Sequence, residues 1–382
     1  MKLSTDRILT THVGSLPRPD HLADGLLARE HGEPIDETAF AAEVRQAVHD
    51  IVRRQVAVGV DIVSDGEMGK IGYSTYIKDR CTGFSGDSPR RPPADLARFP
   101  DFMEMQARTN QAPSIRRPVC TGAIATKDRE PLLTDIDNFR AALAGAGALD
   151  AFLNASSPGV ISAFLPNEFY ATEQAYLEAL GAVMQDEFET IVNAGFVLQV
   201  DCPDLAMARH TQYKHLSDDE FVRQAEAQVE VLNAALANVP ADRCRMHICW
   251  GNYEGPHDFD IPLARIAGVL VRAKPQVLSF EGANPRHAHE WKVWGEIDLP
   301  EDKVLMPGVI DTCSNYVEHP DYVAERICRY ADVVGRERGL AGTDCGFSTF
   351  TRYGRVAPEI AFEKLKTMAA GAEIASRRLW GR

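Results

Sequence analysis

No apolar run in this 382-residue chain approaches the roughly 18 residues that a membrane-spanning helix needs, so no membrane partner is expected. Positive charge is also in short supply. Asp and Glu outnumber Lys and Arg by 55 to 41, a net charge of −14, which excludes a general nucleic-acid surface. The opening stretch, MKLSTDRILTTHVGS, lacks the apolar core of a signal peptide, and a cytoplasmic location is expected. The eight cysteines are scattered rather than dense, unlike those of a disulfide-stapled secreted domain, and each reads by default as a small buried hydrophobe. No Gly-x-Gly-x-x-Gly follows the first strand, which weakens a dinucleotide-binding reading. Neither an internal repeat nor a linker divides the chain, so residues 1–382 are expected to form a single domain.

What is present is a regular alternation of short apolar runs with helical periodicity. Strands are expected at residues 8–15, 60–65, 118–122, 196–201, 245–250, 277–281, 303–309 and 340–345. Helices are expected near 37–58, 137–143, 172–194, 218–238, 262–272, 320–336 and 357–377. The apolar stretch 160–165 reads as a strand outside the main sheet, and 144–155 carries no clear period. Nearly all-apolar strands alternating with helices indicate a parallel sheet covered by helices, and eight such units fit a (β/α)8 TIM barrel. An open doubly wound sheet is the alternative. Long excursions are expected after strands 2 and 3, at 73–117 and 123–195.

Barrel enzymes build their sites at the carboxyl ends of the strands. Those ends here are Ser15, Glu67, Thr121, Asp201, His247 with Cys249, Glu281, Asp311 and Cys345. Thr121 and Asp311 read equally well as helix caps, a role in which Cys and His are poor. His247 and Cys249 stand two apart on an extended segment and so project to one face. With Glu281 and Cys345 they form a candidate soft tetrahedral set, three firm ligands and one exchangeable position, as catalytic zinc prefers. Asp311, His287 and His289 are candidate acids for protonating a leaving group. Arg286 is a candidate clamp for an anionic substrate group, with solvated surface as its plainer reading.

These residues also carry a resemblance. THVGSLPRP at 11–19, VSDGEM at 63–68, CTG at 120–122, LQVDCPDLA at 198–206, HICWG at 247–251, SFEG at 279–282, MPGVIDTCS at 306–314 and GTDCG at 342–346 span nearly the whole chain. Together they resemble the catalytic C-terminal barrel of the cobalamin-independent methionine synthase family and its single-barrel relatives, which include epoxyalkane:coenzyme M transferase. The resemblance implies Zn2+ bound by His247, Cys249 and Cys345, with Glu281 as a displaceable fourth ligand. It also implies that Ser15, Glu67 and Asp201 contact a small-molecule thiol acceptor, whose amino group pairs with the two carboxylates. The expected reaction is methyl transfer to homocysteine, giving methionine, through a zinc-bound substrate thiolate; coordination deprotonates a thiol whose free pKa is about 8.5.

The pattern departs from the family twice: the full synthase has two barrels where this chain has length for one, and one motif of the family is altered. Its Thr-Gly-Pro is Thr121-Gly122-Ala123 here, and the Trp that follows it in the family is absent, which removes a flat face for a pterin donor. Two alternatives stand beside the methyltransferase expectation. One is epoxide opening by a zinc-bound thiol of the coenzyme M type. The other is a metal-free barrel enzyme of the decarboxylase type. The carboxylates at positions 67 and 201 suit an ammonium-bearing acceptor better than a sulfonate.

Overall fold

A computed structural model describes residues 1–89, 92–109 and 115–381. Its centre is a ring of parallel strands. We label them β1 (residues 10–11), β2 (Ile62–Val63), β3 (Asp150–Ser156), β4 (Val197–Asp201), β5 (Cys244–Ile248), β6 (Val277–Phe280), β7 (Val304–Ile310) and β8 (Gly342–Thr343). Strands β2 to β8 pair in sequence order, all parallel. The N-terminal segment then closes the ring. Thr11 N donates to Ala341 O (2.9 Å) on one side, and Ile62 N donates to Thr10 O (3.1 Å) on the other. The expected (β/α)8 architecture is therefore present.

The third strand is not where the apolar pattern points. Residues 118–122 contribute Val119–Cys120 to a two-stranded antiparallel ribbon with Phe84–Ser85, outside the barrel. The barrel strand is Asp150–Ser156, whose small residues and central Asn154 blunt the periodicity. Thr121 consequently sits on the ribbon, its hydroxyl 2.7 Å from that of Ser85. The 123–195 excursion contains β3, so the long excursion lies between β2 and β3. The apolar stretch 160–165 belongs to a helix, Pro158–Phe164. Ser157 caps it by accepting from Val160 N, and Pro158 opens its first turn, signals that outweigh a short apolar run. Of the 73–117 excursion, residues 90–91 and 110–114 lie outside the described residues.

Helices begin where side chains satisfy their free N–H groups. Asp36 caps Glu37–Ala57, Thr172 caps Glu173–Asn193, and Ser217 with Glu220 forms a capping box on Asp218–Ala235. Along each strand alternate residues face inward. Leu9, Ile62, Phe152, Val197, Val277, Val304, Met306 and Leu340 make an apolar floor inside the ring, while Leu153, Leu198, Val200, Met246, Ile248, Leu278 and Phe280 pack outward among the helices. β5 contributes to the floor a buried cation instead of an apolar side chain. The Arg245 guanidinium lies 3.4 Å from the Phe152 ring centroid and donates to Gln199 Oε1, Thr11 Oγ1 and His12 O. The next inward positions up the barrel are polar and form the site. No helix among the described residues is long and apolar enough to cross a membrane.

Candidate metal centre and its cavity

The strand register sets the site. Asp201 pairs with His247 across β4 and β5, and His247 pairs with Ser279 across β5 and β6. All three face inward at the carboxyl end. Cys249 is the next inward residue after His247, and Cys345 follows β8. The ligand atoms of His247, Cys249 and Cys345 all lie within 4.8 Å of one another. In a tetrahedral zinc site with bonds of about 2.0–2.3 Å they would stand about 3.3–3.8 Å apart, a spacing that lies within this bound. His247 Nδ1 is 3.1 Å from Ser279 Oγ, while the buried Nε2 has no protein partner. Burial, with Arg245 nearby, pushes the imidazole pKa down to about 3, so the ring is neutral and offers a lone pair. The contact with Cys249, reinforced by burial, raises the Cys345 thiol well above its ordinary range. A bound cation would favour the thiolate form of Cys345. Donor chemistry, spacing and the orphaned ring nitrogen all fit a metal ion.

Glu281 stands apart from that trio. It is buried, and its oxygens accept from Trp250 N (2.7 Å) and Asn284 Nδ2 (2.8 Å). Its charge adds to the upward push on Cys345, while both of its oxygens already accept hydrogen bonds.

The cluster opens into a cavity of about 140 Å³ that is also lined by Ser15, Glu67 and Asp201. The structure thus brings six of the expected site residues into one space. Burial raises the Asp201 carboxyl to about 6, against hydrogen bonds from Asn154 Nδ2 (3.0 Å) and Gln199 Nε2 (2.7 Å). Burial likewise raises Glu67 to about 8, opposed by Lys70 and reinforced by Asp201. Glu67 sits at φ 56°, a left-handed conformation uncommon for residues other than glycine. Arg18 holds it there, donating from Nε (3.1 Å) and a terminal nitrogen (2.8 Å) to the Glu67 carbonyl. Glu67 Oε2 is buried without a hydrogen-bond partner, with an Arg18 terminal nitrogen 4.0 Å away. The 73–117 excursion adds Tyr73 and Arg117 to the lining. Tyr73 and Phe350, with ring centroids 5.5 Å apart, face the cavity beside Phe164 and Arg117.

The remaining candidates lie outside the described lining of this cavity. Asp311 accepts from Cys313 N (2.9 Å) and Ser314 N (2.8 Å), the geometry of a turn cap. His287 is buried behind Trp250, stacked on its ring at 3.9 Å and bonded to Asp260 and Glu290. His289 is exposed. Arg286, also exposed, donates from Nε to His257 O (3.0 Å), so this donor serves the loop. Sequence reasoning missed Asn154, Gln199 and Ser279, which orient the acidic and metal-facing groups. Strand register would have found Gln199 and Ser279, each two residues before a candidate; Asn154 was hidden by the misplaced third strand.

Known proteins resemble the chain along almost its whole length. The chain is 26% identical over 373 residues to the methionine synthase of Thermococcus kodakarensis, covering 97% of this chain and 94% of that one. It is 25% identical to the methionine synthase of Sulfolobus acidocaldarius, covering 97% and 93%. Its fold is similar to that of a B12-independent methionine synthase from Shewanella sp. W3-18-1 solved with selenomethionine (TM-score 0.75, 19% identity, 98% of this chain and 100% of that one). A putative vitamin-B12-independent methionine synthase from Listeria monocytogenes is also similar (TM-score 0.66, 16% identity, 98% and 100%). The family model described as the catalytic domain of cobalamin-independent synthase matches residues 162–373, and with more than half of its length so matched the chain belongs to that family.

Proposed function

We propose that this protein transfers a methyl group to the thiol of homocysteine, using a zinc ion held by His247, Cys249 and Cys345 with Glu281 as an exchangeable fourth ligand. The observation that carries this reading is the confluence of the His247–Cys249–Cys345 trio with two buried carboxyl groups in one cavity. When bound, the ion would lower the pKa of the acceptor thiol and hold its sulfur in place. Every other role belongs to the chain. Ser279 fixes the tautomer of His247 by its contact at Nδ1, leaving Nε2 free. Glu67 and Asp201 receive the acceptor's ammonium group, and Asn154 with Gln199 keeps the Asp201 carboxylate aimed at it. The apolar wall around Tyr73, Phe164 and Phe350 keeps water from the sulfur and accommodates the methyl donor. In the reaction the new S–CH3 bond replaces the bond between methyl and its leaving group, and the thiol proton is released. The relatives named methionine synthase support homocysteine as acceptor.

The test is a paired measurement of metal content and methyl transfer. Purified protein should carry about one zinc per chain and form methionine from homocysteine with a suitable methyl donor. Chelation should abolish activity and added zinc should restore it, while Cys345→Ser should lose both metal and turnover. Substoichiometric zinc with activity surviving chelation overturns the metal assignment. Turnover of coenzyme M with small epoxides, but none of homocysteine, overturns the acceptor assignment.

A further inference from the structure

We propose that the side chain of Asn252 is the positioning group that holds the loops bearing Cys249 and Cys345 at the separation a metal ion requires. The proposal rests on the metal reading above. Asn252 follows Cys249 by three residues, after Gly251, whose φ of 118° turns the chain back across the mouth of the barrel. Glycine reaches that conformation without the strain a side chain would impose. Asn252 Nδ2 then donates to Gly346 O (2.7 Å) and to Thr349 Oγ1 (2.8 Å). Its Oδ1 accepts from Thr312 Oγ1 (3.0 Å) and Cys313 Sγ (3.2 Å). A backbone carbonyl only accepts, so the Gly346 contact fixes which end of the amide is nitrogen. Both donor hydrogens and both acceptor positions are thus occupied, by residues of two other loops.

The contact with Gly346 matters most because Gly346 directly follows Cys345. Its far side is closed as well, since a Cβ there would overlap the Ser15 hydroxyl. One side chain therefore links the chain just after the first cysteine to the chain just after the second. The chemistry of an amide suits the task. It donates two hydrogen bonds without bringing a charge, whereas a lysine or arginine in its place would compete with the cation for the two thiols. Groups that orient metal ligands in this way typically contribute 10–100-fold to metal affinity.

The test uses three variants of the full chain. Asn252→Asp keeps an acceptor for Thr312 and Cys313 but loses both N–H donors, and Asn252→Ala removes every contact. Thr312→Val disturbs only the acceptor side. Zinc affinity is read by competition with a chromophoric chelator, ligand geometry by the visible absorption of the cobalt(II)-loaded protein, and folding by thermal unfolding of the metal-free protein. Both Asn252 variants should bind zinc about 10–100-fold more weakly, with a shifted cobalt spectrum, while Thr312→Val stays within about twofold of the parent. If Asn252→Ala does not fold, Asn252→Asp alone decides. Parent-like zinc affinity and an unchanged cobalt spectrum in Asn252→Asp overturn the proposal, whatever the unfolding temperature does. An equal loss in Thr312→Val overturns the assignment to the donor side. Absence of zinc or cobalt uptake by the parent protein overturns the metal reading itself and this proposal with it, whereas uptake that the substitutions leave untouched overturns this proposal alone.

Discussion

Glu67 and Asp201 line one cavity in different surroundings. Asp201 accepts two amide hydrogen bonds, whereas Glu67 Oε2 accepts none, with Arg18 4.0 Å away, and its carboxyl is raised to about 8. A folded-state pKa above the unfolded value of a carboxyl means that the native protein retains a proton the unfolded chain releases. The contribution of Glu67 to stability therefore falls as pH rises from about 4.5 through about 8. An ammonium ligand reverses this by favouring the carboxylate. Glu67→Gln should accordingly raise the KM for homocysteine about tenfold or more, the worth of one charge-assisted hydrogen bond, with a smaller change in kcat. Steady-state kinetics with homocysteine and coenzyme M checks this: an equal rise in both KM values would remove ammonium recognition as the cause. At this scale the sequence was most legible where the residue type is rare. His247 and Cys249 stand out because period two puts an imidazole and a thiol on one face. Asn252 does not stand out, because an amide in a loop is common and its meaning lies in partners 60 to 97 positions away.

The segment between β5 and β6 carries charge of a different kind. The buried Asp260 side chain lies 2.9 Å from His210 Nδ1, 2.8 Å from His257 Nδ1 and 2.9 Å from His287 Nε2. Burial opposes charge on His257 and His287, but the Asp260 carboxylate outweighs it at His257, and Asp260 with Glu290 does so at His287. The pKa values are pushed up to about 9 and about 10. Because the folded values exceed the ordinary histidine value, the stabilisation is fully present below about pH 6.5 and is lost as pH rises through 9 to 10. Thermal midpoints measured from pH 6.5 to 10 should fall more steeply for the parent than for His287→Gln; parallel curves would remove this cluster as the source. His287, in the loop after β6, is a candidate acid by sequence position alone. It sits a few residues past Glu281, but its ring stacks on the far side of Trp250. Sequence proximity to a strand end did not reveal which way the loop turned. The third strand was obscured for another reason: Asp150–Ser156 places Asn154 and Ser156 inward, where a polar site needs them, and so loses the apolar signature of its neighbours.

For the whole molecule, the ring topology decides how stability is shared. β1 is held between β2 and β8, so neither end of the barrel can open without exposing the other. We expect the barrel to behave as one domain and to melt in a single calorimetric transition with equal calorimetric and van't Hoff enthalpies. Two resolved transitions would divide it. The eight-unit plan was readable from alternating runs because each barrel strand is short and most are apolar, whereas the closure itself was not, since it is made by three backbone groups around Thr10 and Thr11.

That closure also sets an order of assembly. Val13 N donates to the Thr343 hydroxyl, a contact 330 positions apart in the chain. While the protein is being synthesised, the strands already released from the ribosome carry unpaired edges until β8 emerges. His247 and Cys249 are exposed to the cell's ions before Cys345 exists to join them. On the proposed zinc reading, an ion that needs all three groups would be held only once Cys345, 96 residues after Cys249, has joined them.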